Sequence, residues 1–493
     1  MIIIGTRGRD VRHGTGDHDE FAGFDGNDVF NASGGDDDLT GGFGADTLNG
    51  GPGIDTAHYD DSPVGVFVSL ADGRGFNGTA AGDRLFSIEN LQGSLHSDIL
   101  IGDGGPNTLA GLDGADSLFG GGGDDHLYGG RGNDFLAGGA GADVLDGGEN
   151  IDTADYSDSP LGVEVNLERE GGTGRGFYGF AEGDTLVGIE NLVGSLHDDF
   201  LSGTSEANRI DGGGGADILF GMGGADHLFG GRGNDVLVGG TGADHLDGGA
   251  GNNTAWYTDS DLSVEVNLEF GRGYSGSALD DVLVNIENVL GSYHDDTLVG
   301  DGVANTIEGG FGSDQIVGGG GNDHLYGGFG PAMPGMSDFI IIEPLGTLSD
   351  GDDVLIGGRG NDTLIGGTGA DRLTGGSDAD TFVFNFTYET HGYDRLQMDY
   401  ILDFSRAQGD KIGLNGIDAN EGVDGNQDFT TFIGTAEFSA TPTVPGSATP
   451  GQIRYFTIGG DTYILLNTDT DPDNDAAIHV AGDRPPDASW FNM

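Results

Sequence analysis

Between Gly111 and Asp146 the chain reads GLDGADSLF, GGGGDDHLY, GGRGNDFLA, GGAGADVLD, four nonapeptides in unbroken succession. Glycine holds the first and fourth positions, aspartate the sixth and leucine the eighth. Few folds accommodate this period. The glycine-rich hexapeptide can take positive φ angles and turn tightly. The triplet after it alternates, so its apolar middle residue points inward and its neighbours outward. Two nonapeptides then close one coil, and residue i+18 stacks on residue i at a strand spacing of about 4.8 Å. The expected fold is all-β: a right-handed parallel β-roll or β-helix solenoid of nonapeptide repeats.

Stacking brings sixth-position carboxylates together in pairs, such as Asp116 with Asp134 and Asp125 with Asp143 on the opposite edge. Calcium takes six to eight oxygens, and two carboxylates plus turn carbonyls can supply them. The candidate ligands are Asp28, Asp46, Asp116, Asp125, Asp134, Asp143, Asp217, Asp226, Asp235, Asp244, Asp314, Asp323, Asp353, Asp362, Asp371 and Asp380. At Asn107, Asn208 and Asn305 the aspartate is replaced and the glycine pair is lost, so weak or absent calcium is expected there. The spacing matches the haemolysin-type, or RTX, calcium-binding repeat, and the chain resembles RTX proteins on those residues.

The count in nines breaks three times, from about Ile54 to Gln92 and again at 151–193 and 252–290, with wide-coil segments at 59–92, 156–193 and 257–290. These segments share their own order: DTAHY, DTADY and NTAWY; then VGVFVSL, LGVEVNL and LSVEVNL; then GRGF, GRGF and GRGY; then SIEN, GIEN and NIEN. The alternation of Val163, Val165 and Leu167 is strand-like, and wider coils of the same solenoid are expected rather than separate domains. RTX blocks therefore span 1–58, 93–155, 194–256 and 291–380, the last with an excursion at 331–347 that is either a surface loop or a partner-docking loop. At the N-terminus Arg12 occupies an inward position, which reads as a frayed cap with Ile3 inside the strand before it.

From 381 to 493 the texture becomes ordinary β-rich sequence. It is similar to the C-terminal domain of the serralysin metallopeptidases at Asp380, Phe382, Val383, Phe384, Asp403, Phe404, Gly409, Asp410, Lys411, Ile412, Ile417, Asp418 and Asn420. The resemblance implies a cap on the roll that carries an uncleaved signal for the type I secretion apparatus. The ending PPDASWFNM matches that family only loosely, and the acids of 469–475 lack the glycine and glutamate of an EF-hand loop.

Composition excludes several classes. Acidic residues number 83 against 18 basic, a net charge of −65, and nucleic-acid binding needs the opposite sign. About twenty calcium ions would cancel roughly 40 of those charges. With no cysteine, disulfides, zinc–thiolate sites and thiol nucleophiles are out. No HExxH, GxSxG or P-loop is present, so no enzyme is expected and the metallopeptidase domain is lacking. No N-terminal signal peptide and no membrane span is read, and export to the extracellular side would use another route.

Histidines fall into two groups. His126, His227, His245 and His324 hold the outward seventh position, where a solvated face competes with a transition-metal pair; His96, His197 and His294 recur in GSLH or GSYH turns. Aromatic residues at the ninth position (Phe119, Tyr128, Phe220, Phe229, Tyr326) and Arg74, Arg175 and Arg272 could grip an acidic polysaccharide or cell surface. Alternatively, the rings lie under the wide coils and the arginines pair with nearby acids. A third reading is an RTX-bearing hydrolase, epimerase or metallopeptidase relative, with catalytic residues in the wide coils or the excursion.

Overall fold

The computed structural model describes residues 1–168, 173–329, 351–385, 398–405, 407–415, 431–432, 452–458, 461–467, 476–481 and 491–492. It divides into two compact units, one of Met1–Val238 with Asp247–Gly251 and one of Gly239–Leu246 with Asn252–Met493. The excursion 331–347 lies outside the described residues, as do Ile417, Asp418, Asn420 and the acids of 469–475.

In the first unit, alternate repeats feed two parallel sheets. Thr108–Asp113, His126–Arg131 and Val144–Glu149 stack in one, with Leu109 opposite Leu127 and Leu127 opposite Leu145. Ser117–Gly122 and Phe135–Ala140 stack in the other, with Leu118 opposite Leu136. The offset of 18 residues is the coil length read from the sequence. Leu109, Leu118, Leu127, Leu136 and Leu145 are fully buried, each contributing about 1.5–3 kcal/mol by leaving water. The core is this double column of eighth-position side chains. Its first coil is thin: in Ile2–Ile4 only Ile3 is half-buried, and Arg12, opposite Phe30, bonds Asp10 instead of packing fully.

The three interruptions are wide coils. Arg84–Phe86 lies on Thr47–Asn49, an offset of 37, and Phe67–Ser69 lies beside Ile99–Ile101. Between them Arg74–Gly75 runs antiparallel to both, so the segment adds a short antiparallel step without leaving the sheet. Glu164–Asn166, Gly174–Phe177 and Thr185–Val187 repeat this arrangement, with Val163, Val165 and Leu167 buried. In the second unit Glu265–Asn267, Arg272–Ser275 and Val282–Val284 repeat it again.

The second unit also resumes its register across the excursion. Gln315–Gly320 pairs in parallel with Val354–Arg359, and His324–Tyr326 with Thr363–Ile365, at an offset of 39. Beyond the repeats, Thr381–Asn385 pairs with Lys411–Asn415, and Met398–Ile401 with Ala476–Val480. Gln452–Ile458 and Asp461–Asn467 form an antiparallel pair joined to Ala476–Val480. The described strands of 381–493 therefore extend the same sheets.

Candidate calcium ladder

Every sixth-position aspartate named above is buried, and within each unit stacking joins successive ones through the same contact. One Oδ1 accepts the backbone N–H of the sixth residue a coil earlier. Asp134 takes Asp116 N–H at 2.8 Å, Asp143 takes Asp125 N–H at 2.8 Å, and Asp46 takes Asp28 N–H at 2.7 Å. Asp235 takes Asp217 N–H at 3.0 Å, and Asp226 takes Asn208 N–H at 2.7 Å. In the second unit Asp353 accepts from Asp314, Asp362 from Asp323, Asp371 from Asp353 and Asp380 from Asp362. Asp244 N–H bonds Asp281 at 2.9 Å.

The other oxygen distinguishes two kinds of turn. In the first kind, the second residue has positive φ: Leu112 (83°), Gly121 (105°), Gly130 (111°) and Gly139 (91°). Its N–H then turns away from the carboxylate. Asp116, Asp125, Asp134 and Asp143 are each at most 2% exposed, and their Oδ2 atoms have no hydrogen-bond partner. The place where a Cβ on Gly111 would stand is 2.2 Å from Asp116 Oδ2 and 2.8 Å from the Gly129 carbonyl oxygen. On Gly120 the corresponding distances are 2.3 Å to Asp125 Oδ2 and 2.5 Å to Gly138 O. A side chain at the first position would overlap both oxygens, so glycine there lets a carboxylate of one coil and a carbonyl of the next approach the same place. A buried, unpaired carboxylate is costly, and a hard cation between coils removes that cost.

In the second kind, the chain supplies its own donors. Ser94 gives its N–H and its hydroxyl to Asp98, the latter at 2.8 Å, and Ser195 and Ser292 do the same for Asp199 and Asp296. Thr6 and Thr15 treat Asp10 and Asp19 alike. At the asparagine turns, Asn107 Oδ1 accepts Asp103 N–H at 2.7 Å while its Nδ2 donates 2.7 Å to the Glu89 carbonyl. Asn208 and Asn305 repeat both contacts. A neutral amide N–H already faces the carbonyl there, so the side chain bonds an oxygen that would otherwise be open to a cation. His96, His197 and His294 receive a structural contact: the Ser hydroxyl of each turn accepts their backbone N–H.

Burial sets the electrostatics. It pushes the Asp116 and Asp125 carboxyls up to about 7 and Asp217 up to about 8. Neighbouring carboxylates, Asp98 and Asp134 beside Asp116, add to the rise, and the backbone N–H donors partly oppose it. Among the described residues no three His, Cys, Asp or Glu side chains gather to hold a metal. A cation here depends on backbone carbonyls, which suits calcium and not zinc or copper.

Sequence reasoning missed several members of the ladder. Asp37, Asp55 and Asp152 are also buried with an unpartnered Oδ2; Asp37 escaped notice because its turn starts at Ala32 and Ser33, yet Ser33 adopts φ 86°. Asp83, Asp184 and Asp281 continue the ladder inside the wide coils, where Asp46, Asp143 and Asp244 donate to them. The signal was the surviving D-x-L of Asp83–Leu85, Asp184–Leu186 and Asp281–Leu283. There the Oδ2 is taken by a buried tyrosine: Tyr59 at 3.3 Å, Tyr156 at 3.0 Å and Tyr257 at 3.2 Å. Tyr156→Phe is expected to cost about 1–3 kcal/mol by leaving Asp184 unpaired, read as a lower urea midpoint; an unchanged midpoint would deny the tyrosine this role.

The family comparison fits this geometry. The model of the RTX calcium-binding nonapeptide repeat matches residues 22–57, 92–127, 119–154, 193–228, 220–255, 299–331 and 348–382. The chain carries RTX calcium-binding repeats. Among curated proteins none matches it. Of solved structures, the extracellular lipase LipA from Serratia marcescens matches over 80% of this chain at 15% identity. The match spans 40% of that lipase with a TM-score of 0.14, which supports no inference. All seven matched segments lie on the nonapeptide blocks, and none covers a wide coil between 59–91 or 156–192.

The outward features are mixed. Arg74, Arg175 and Arg272 are exposed. Arg175 bonds the Thr185 hydroxyl at 2.8 Å, and none of the three forms an ion pair among the described residues, whereas Arg131 pairs with Glu149 and Arg209 with Asp211. Of the ninth-position rings, Tyr128 is exposed, while Phe119 and Phe220 are half-buried against Phe135 and Phe200. Phe229 lies under the Arg209 guanidinium at 3.9 Å, and Tyr326 is half-buried. His126, His227 and His324 are exposed, and His245 is half-buried.

Proposed function

We propose that this is a secreted, non-enzymatic calcium-binding protein whose roll folds as calcium binds after type I export, in a structural or interaction role. The observation that carries it is the row of buried Oδ2 atoms without donors at Asp116, Asp125, Asp134 and Asp143. Where free calcium is low, mutual repulsion within a chain of net charge −65 keeps it extended and suited to threading. Outside, calcium supplies the missing partner, and because each site exists only when two coils stack, binding and folding are one event. The serralysin-like end, 381–493, caps the roll and carries the export signal. No helix among the described residues is long and apolar enough to cross a membrane. Co-expression with a type I transporter tests the export step. The full chain is expected in the medium and a chain lacking 381–493 in the cell; equal export of both would refute it.

A second reading, recognition of an acidic polysaccharide or cell surface, draws on the exposed Arg74, Arg175 and Arg272, which form no ion pair among the described residues. Replacing all three by alanine is expected to abolish binding to an acidic glycan panel in calcium. No binding by the unaltered chain to any member of the panel would dismiss the reading.

A further inference from the structure

Each wide coil returns to the ladder through the same tripeptide, Ile88–Asn90, Ile189–Asn191 and Ile286–Asn288, preceded by Ser87, Gly188 and Asn285. Those three preceding residues share a left-handed backbone, with φ of 47°, 58° and 52°. Ser87 is of a type that rarely adopts it, whereas Asn285 does so more readily, so at Ser87 the conformation is held by its surroundings. In the first two copies the conformation aims a carbonyl at a buried aspartate. The place where a Cβ on Gly50 would stand is 2.2 Å from Asp55 Oδ2 and 2.3 Å from Ser87 O. On Gly147 the distances are 2.6 Å to Asp152 Oδ2 and 2.1 Å to Gly188 O.

Asp55 and Asp152 are both 0% exposed, and in both the Oδ2 has no hydrogen-bond partner. The glutamate of each tripeptide stands in for the next coil's aspartate. Glu89 accepts Asp55 N–H at 2.9 Å, and Glu190 accepts Asp152 N–H at 2.8 Å. Two carboxylates and a directed carbonyl thus meet at each junction, with a summed charge that one divalent cation neutralises. Ser87, Glu89, Gly188 and Glu190 all lie outside the segments matched by the RTX repeat.

The third copy serves as an internal control. Its aspartate is replaced by Asn253, whose backbone N–H still bonds the glutamate, Glu287, at 2.8 Å. Its Nδ2 donates 3.1 Å to the Asn285 carbonyl, the oxygen equivalent to Ser87 O and Gly188 O. A side-chain N–H therefore bridges the gap that the other two copies leave between oxygens.

We propose that Asp55 with Ser87 O and Glu89, and Asp152 with Gly188 O and Glu190, form two calcium sites at the junctions between nonapeptide blocks and wide coils, while Asn253 closes the third junction without metal. The inference rests on the calcium reading above. It assigns ligands that the repeat alone does not contain, and it lets the cation ladder run up to the first two wide coils.

Counting bound calcium by native mass spectrometry tests it, using the full chain, the Asp55→Asn/Asp152→Asn double variant and Asn253→Asp. The double variant is expected to lose at least two ions and Asn253→Asp to gain one. Both should keep the calcium-loaded circular dichroism spectrum of the unaltered chain, since Asn253 shows that the junction accepts asparagine. If the unaltered chain binds many ions and neither variant changes the count, the junction sites are overturned while the calcium reading stands. An unaltered chain that binds none overturns both.

Discussion

Gly132→Ala is expected to open the roll locally, at a cost of about 3 kcal/mol or more. Gly132 sits at a fourth repeat position with φ 140°, and a Cβ there would stand 1.3 Å from the Gly114 carbonyl oxygen of the preceding coil. The offending atom is backbone, so no rotamer change relieves the overlap. Moving the coils apart would break the bonds from Gly114 N–H to Arg131 O and from Gly132 N–H to Glu149 O, and would spoil the adjoining cation gap. In a solenoid each repeat is stabilised mainly by its neighbours, so the damage should be confined to the coils around 111–149. Hydrogen exchange would show lost protection there. Gly122→Ala is the control: its nearest neighbour would be 3.8 Å away, and a change within about 0.5 kcal/mol is expected. Equal protection in the two variants would contradict the packing described.

Acid is expected to substitute partly for calcium. Burial raises the Asp116 and Asp125 carboxyls from 3.8 to about 7 and Asp217 to about 8 in the folded chain. A raised carboxyl means that the folded state holds protons that the unfolded state has released. The associated stability is fully present below pH 3.8 and is lost as pH climbs through about 7 to 8. In the presence of EGTA, then, the β signal of the circular dichroism spectrum should be stronger near about pH 5 than near about pH 8. Calcium must displace those protons, so its apparent affinity should rise over the same interval. A calcium-free fold that strengthens toward about pH 8 would contradict the assignment of these carboxylates as unpaired.

Much of this was legible because the repeat is short and every position has one physical duty. The inward leucines, the i+18 register and the sixth-position acids all followed from the spacing of Gly111–Asp146, and the strands match it residue for residue. What separates a cation gap from a self-satisfied turn was harder to read, because it is a backbone choice. Ser94 closes Asp98 while Ser33 leaves Asp37 open, and both are serine at the second position. The residues that close the ladder in the wide coils, Tyr59, Tyr156 and Tyr257, were visible as recurring letters without a role. Their partners lie 24 to 28 residues away, and only the fold joins them. Asp83, Asp184 and Asp281 were hidden for a related reason: a D-x-L triplet without its glycines looks like any exposed strand.

The central claim is that calcium completes sites without which the roll is unfavourable. Far-ultraviolet circular dichroism of the full chain near about pH 8 tests it directly, first in EGTA and then through a calcium titration into the millimolar range. The account predicts a largely unordered spectrum in EGTA and a cooperative, reversible rise of β signal as calcium is added. A β spectrum already complete in EGTA and unmoved by calcium would contradict it.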